Sequence, residues 1–112
     1  MRWMNCKGWW EQDFYGRQEM TDLQLSFADG KISGQGRDVV GEFTLFGQLE
    51  NEKVLLRKHY VGKHAVDYPG VFDGEGTMQG IWNIGNFFGG KWMIHVVRPE
   101  TSSLENVQEM QF

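Results

Sequence analysis

A chain of 112 residues is long enough for one hydrophobic core and too short for two, so residues 1–112 are expected to form a single domain. The formal charge of −4 leaves no basic surface to neutralise a phosphate backbone, which argues against nucleic acid as a partner. A lone Cys6 rules out an internal disulfide and a thiolate metal cage, and reads as a buried thiol in a reducing compartment.

Met1 to Lys7 lacks the apolar run of a secretory signal, and nowhere do eighteen apolar residues follow one another. A cytoplasmic protein without a membrane partner is the expectation. Glycine, at 15 residues, has about twice its usual share and aromatics make up 14%, a composition suited to tight turns around a bulky interior.

No segment before residue 100 keeps a helical period, whereas short alternating runs recur between Gly and Asp/Asn turns. Eight strands are predicted, approximately at 7–15, 18–28, 31–38, 40–49, 53–61, 64–72, 77–84 and 90–98. The connections are short, so successive strands pair antiparallel in an up-and-down meander. With no helix to cover a face, eight such strands are best satisfied by closing into an all-β barrel over about 7–98, followed by a tail over 99–112. A barrel of this size encloses either packed side chains or one small ligand.

Taken in order, the turns set much of the register. Asp29-Gly30 is the strongest hairpin signal, a two-residue turn that needs positive φ. It pairs Phe27 with Ile32, Leu25 with Gly34 and Leu23 with Gly36, so large side chains face glycines on the inner side. Counting on by twos places Asp38 on that side, at the strand end. A four-residue loop over Glu50 to Lys53 pairs Leu49 with Val54, Gly47 with Leu56, Leu45 with Lys58 and Phe43 with Tyr60, which points Lys58 and Tyr60 inward.

The hairpin at Gly62-Lys63 has two solutions. A two-residue turn sets Lys58 opposite Asp67, while a three-residue turn sets Tyr60 opposite His64 and leaves Val66 and Tyr68 inside; a slip of one residue exchanges the faces. Pro69-Gly70 predicts a bulge or edge-like irregularity. Asp73-Gly74-Glu75-Gly76 is the next turn, after which Met78, Gly80, Trp82 and Ile84 share one face, as do Trp92, Ile94 and Val96. Beyond Pro99, Ser102 to Glu105 fits a capping box, with Leu104, Val107 and Met110 at helical spacing; a short helix and a frayed tail are both open.

Several chemical motifs fail on inspection. Gly34-x-Gly36 lacks the third glycine and the following helix of a dinucleotide fingerprint. Gly85 to Lys91 imitates a phosphate loop up to its lysine, but Trp92 stands where Ser or Thr would hold magnesium. His59, His64 and His95 are scattered, and Asp73-Gly74-Glu75 lacks the ligand spacing of a calcium loop. No metal or cofactor is therefore expected.

With its strand count, its length and Gly8-Trp9-Trp10 at the start of the first strand, the chain resembles the avidin/streptavidin-like and wider calycin barrels. Residues 34 to 94 more closely resemble an uncharacterised domain of bacterial and fungal proteins. The pattern reads Gly34-x-Gly36-x-Asp38-x-Val40-Gly41-x-Phe43-x-Leu45-x-Gly47, Lys58-x-Tyr60-x-Gly62-x-His64, Tyr68-x-Gly70, Gly80-x-Trp82 and Gly90-x-Trp92. The resemblance implies the barrel, and it implies that Trp10 closes the barrel floor under an arginine of the last strand, here Arg98. It does not carry biotin over, because the polar ligands and stacking tryptophans of the biotin binders have no clear counterparts.

Three functional readings follow. In the first, a non-enzymatic module binds an unknown small molecule in the barrel interior or open end through Asp38, Lys58, Tyr60, Tyr68 or Asp67, and Trp82. An inward lysine needs a partner, Asp38 or Asp67, and the same pair could simply tie strands together. In the second, a side-chain-filled barrel serves assembly as a homodimer or tetramer, with Phe46, Leu55, Met93 and Val97 pointing outward. In the third, a desolvated Lys58 acts as base or imine former in an isomerase or cyclase.

Overall fold

The computed structural model describes residues 3–85 and 88–97. Eight strands, β1 (Met4–Gln12), β2 (Gly16–Ala28), β3 (Lys31–Arg37), β4 (Glu42–Glu50), β5 (Lys53–Tyr60), β6 (Ala65–Phe72), β7 (Thr77–Ile84) and β8 (Phe88–Val96), pair antiparallel in chain order. β8 returns to β1, so the meander closes into a barrel. Among the described residues no helix is long and apolar enough to cross a membrane. The tail over 99–112 lies outside the described residues.

Alternation drives the closure. β5 reads exposed and buried strictly by turns, with Val54, Leu56, Lys58 and Tyr60 inside. Leu25, Ile32, Phe43, Leu45, Met78, Trp92 and Ile94, each 1% exposed or less, join them in the interior. Burial of a side chain of this kind stabilises by about 1.5–3 kcal/mol. Glycine makes room for it: a Cβ on Gly34 would collide with Leu25 across the β2–β3 ladder.

Most of the predicted register is present. Phe27↔Ile32 and Leu25↔Gly34 flank the Asp29-Gly30 turn, where both residues have positive φ. Leu49↔Val54, Gly47↔Leu56, Leu45↔Lys58 and Phe43↔Tyr60 hold as well. Their turn is tighter than expected, since Glu50 pairs with Lys53 and only Asn51 and Glu52 connect them, at φ 50° and 72°.

Three details differ from expectation, and a fourth does so in part. β1 begins at Met4 rather than residue 7, because Met4 and Cys6 continue its buried face. A bulge between Thr21 and Gln24, with Asp22 at φ 51°, takes Leu23 out of direct register with Gly36, although the side chain still reaches that glycine. Pro69 causes no bulge, since the β6–β7 register is the same at Asp67↔Asn83 as at Phe72↔Met78, but it does leave an irregularity: the ladder has no pair at Tyr68 or Pro69. β8 starts at Phe88, two residues earlier than predicted.

The Gly62-Lys63 ambiguity resolves to the three-residue turn. Lys58 faces Val66 across the ladder, and the Tyr60 N–H donates to the His64 carbonyl at 3.1 Å. Val66 and Tyr68 therefore point inward, while Asp67 turns outward within 3.8 Å of Arg57.

Candidate functional site

Asp38 follows β3 in a tight connection to β4, where its backbone and that of Gly41 exchange two hydrogen bonds of 3.1 Å. The turn aims the carboxylate into the barrel, and its side chain is wholly buried. One oxygen, Oδ2, accepts from Lys58 Nζ at 2.5 Å, Tyr60 Oη at 2.7 Å and Trp10 Nε1 at 3.1 Å. The other, Oδ1, accepts the Val40 N–H at 2.9 Å. Four donors thus meet one carboxylate, three of them at Oδ2, which makes Asp38 the centre of the network.

Lys58 is equally enclosed. Its Nζ donates to Asp38 and, at 3.3 Å, to Tyr68 Oη, and it lies 4.2 Å from the Phe43 ring centroid and 4.7 Å from that of Tyr60. Burial pulls the ammonium down to about 8, against the opposing hydrogen bond and charge of Asp38. For Asp38, burial pushes the carboxyl upward, but the hydrogen bond and charge of Lys58, aided by Tyr60 and Val40, outweigh it and hold the group below the usual carboxylate range. Both residues are thus ionised at neutral pH. Burial raises the Tyr60 and Tyr68 phenols above their ordinary value, with Asp38 adding to each, so both remain protonated.

Beside this network the barrel has a hollow of about 230 Å³ at the end where β1 joins β2 and β3 joins β4. Trp10, Tyr60, Tyr68 and Trp82 give it aromatic walls; Val40, Val66 and Ile84 add aliphatic surface, and Gln12 and His64 supply polar side chains. Two of the walls are locked in place: the Trp10 and Trp82 rings meet edge to face at 5.8 Å, and Trp82 Nε1 donates to the Glu11 carbonyl at 2.9 Å. Gly90, opposite Trp82 in the β7–β8 ladder, permits that approach, since a Cβ there would collide with the Glu11 carbonyl.

Of the predicted binding residues, Tyr60, Tyr68 and Trp82 line the hollow, whereas Asp38 and Lys58 sit behind it. Trp10 is a wall of the hollow and a donor to Asp38; Arg98, its suggested partner in barrel closure, lies outside the described residues. Val40, Gln12, His64 and Ile84 were not among the predicted ligand residues. Ile84 was legible as inward from its alternation with Trp82, and His64 from its place opposite Tyr60 in the three-residue-turn solution, but Gln12 carries no signal apart from closure of the barrel. Cys6 is buried, and burial pushes its thiol up to about 12, consistent with an inert core position.

A second hollow of about 250 Å³, between Asp22, Gln35, Arg37, Glu42 and Thr44, lies beside the β2 bulge. Its charges already pair with one another, Arg37 with Asp22 at 3.2 Å and with Glu42 at 3.9 Å, and they are exposed. The hollow beside Asp38 is the better candidate. No protein-family model, curated protein or solved structure matches the chain. The likeness to avidin-type barrels therefore stands on architecture: eight antiparallel strands in meander order, closed.

Proposed function

We propose that this barrel is a non-enzymatic binding module that takes a small, mainly apolar molecule into its open end. The observation that carries the reading is the hollow of about 230 Å³ walled by four aromatic side chains. The loops around it support it too, because Phe14, Tyr15, Val39, Val61 and Phe88 are all exposed at this end. The resemblance to avidin-like barrels agrees with a ligand in the interior but does not specify one. A cytoplasmic location fits the lone thiol.

Lys58 argues against the isomerase or cyclase alternative. An imine former needs an amine that a carbonyl carbon can approach, and this one is enclosed by Asp38, Tyr68 and ring faces. Indane, a neutral fused-ring hydrocarbon, is a suitable probe. Titration followed by the indole N–H resonances should move those of Trp10 and Trp82 and leave Trp92 in place, and Ile84→Trp, which fills the hollow, should abolish the response. Unmoved Trp10 and Trp82 signals at saturating indane would remove the proposal.

One observation favours a second reading, assembly. Phe46 and Leu55 are exposed as expected, while Met93 and Val97 are half-buried. Leu55 lies opposite Pro69, and exposed Ile81 and Val71 continue the outer apolar stripe on the neighbouring strands. On this reading the wild-type protein sediments as a dimer or tetramer at micromolar concentration and Leu55→Lys sediments as a monomer.

A further inference from the structure

The proton inventory behind the hollow says what kind of small molecule would fit, granted that the hollow binds one. Asp38 is closed to a ligand, since its side chain is wholly buried behind the hollow, Oδ2 receives Lys58, Tyr60 and Trp10, and Oδ1 is turned to the Val40 N–H of its own loop. Lys58 has spent one proton on Asp38 and one on Tyr68, and the remainder of its ammonium is packed among the rings of Phe43, Tyr60, Tyr68 and Trp10. Tyr60 gives its proton to Asp38, Trp10 gives its indole proton to the same oxygen, and Trp82 gives its own to the Glu11 carbonyl. Leaving aside Gln12 and His64, which are half-buried and exposed at the rim, every side-chain polar hydrogen of these buried walls is engaged except one.

That one belongs to Tyr68. Its hydroxyl oxygen accepts from Lys58 Nζ, and its own O–H finds no acceptor among the described residues. The side chain is 2% exposed and lines the hollow, so the donor is buried without a protein partner. A buried donor left unpaired costs free energy, and a group that satisfies it gains affinity. Donation from an ammonium also polarises the phenol and strengthens its O–H as a donor.

Charge narrows the class further. The ammonium and carboxylate behind the hollow cancel, so an ionic ligand entering it would meet no net counter-charge and would lose its hydration. A donor-rich ligand would find the deep acceptors already taken. We infer that the hollow selects a neutral molecule of one or two fused rings bearing a single acceptor oxygen, a ketone or a similar carbonyl, which Tyr68 O–H holds at the base of the aromatic walls.

This inference rests on the binding reading above, and one pair of probes separates the two. 1-Indanone and indane share a ring skeleton and differ by the carbonyl. The quantity read is the ratio of their dissociation constants in the wild-type protein and in Tyr68→Phe. Loss of the hydroxyl should weaken 1-indanone relative to indane by about fivefold to tenfold while leaving indane nearly unchanged. In the wild-type protein, the carbonyl stretch of bound 1-indanone should shift to lower frequency, a readout that needs no variant to fold. If indane binds, the ratio is the same in both proteins and the carbonyl stretch is unshifted, the Tyr68 assignment is overturned and the binding reading stands. If neither compound binds, both fall together.

Discussion

The two ends of the barrel are made from the same eight strands yet solve opposite problems. At one end, the turns Asp29-Gly30, Asn51-Glu52 and Asp73-Gly74-Glu75 are short, acidic and exposed, and aliphatic side chains such as Ile32, Val54, Met78 and Val96 fill the space between them. At the other end, the connections expose Phe14, Tyr15, Val39, Val61 and Phe88, and the interior holds an ion pair, two tyrosines, two tryptophans and a hollow. The closed end is packed like any small core. The open end substitutes a polar network for packing, so it needs every hydrogen bond in place. Stability is thus carried by two different currencies of interaction, and substitutions should tell them apart.

The largest effect is expected where the network loses its centre. Asp38→Ala leaves the Lys58 ammonium buried without a counter-ion and strands the Tyr60 and Trp10 donors, so unfolding free energy should fall by roughly 4 kcal/mol. Denaturant unfolding followed by tryptophan fluorescence measures it. Next comes Leu25→Ala, a truncation in the packed part of the barrel, which should cost about 3 kcal/mol in the same assay. If Leu25→Ala costs more than Asp38→Ala, the open end depends on packing after all.

Alkaline titration sharpens the contrast. Burial brings the Lys58 ammonium down to about 8, below its ordinary value of 10.5, so between these values the unfolded chain binds the proton more tightly. Stability contributed by this group therefore rises from pH 8 to pH 10.5 and is constant above it. Lys58→Met should lack the rise. Burial keeps Cys6, Tyr60 and Tyr68 protonated in both folded proteins, so the difference between the two stability curves reports the lysine; parallel curves across this window would contradict it.

The smallest effect on stability is expected from Ile84→Ala at the half-buried edge of the hollow, about 1 kcal/mol or less, accompanied by clear weakening of indane binding. A large stability loss with unchanged binding would reverse the assignment of the two ends.

How legible each end was in the sequence follows from the same contrast. The closed end rests on local hairpins: Asp29-Gly30 was enough to pair Leu25 with Gly34, and the connection over Glu50 to Lys53 was enough to pair Leu45 with Lys58. The Asn51-Glu52 turn escaped because a glutamate at φ 72° has no residue signature; the register survived because a two-residue turn and the predicted four-residue loop pair the same residues. Asp22 and Leu23 continue an alternating run, so the bulge between them was invisible. At the open end, period-2 patterning placed Asp38, Lys58 and Tyr60 on one side but could not choose between Asp67 and Tyr68. That choice depended on a backbone hydrogen bond from Tyr60 to His64. The Trp10–Asp38 bond joins β1 to the end of β3 across the interior, a relation no local pattern encodes.

The seam between β1 and β8 has a consequence for the order of folding. Seven of the eight strand pairings join neighbours in the chain, but Cys6↔Val96 through Trp10↔Trp92 joins its two ends. Such a pairing closes a loop of nearly the whole domain before contacts repay it, and it is the step expected to limit the folding rate. Trp10 ends that seam, and the Glu11 carbonyl that holds Trp82 belongs to the next residue along β1. The hollow thus comes into existence only with the last closure, and a molecule seated between those two indoles would act as a clasp on the finished ring.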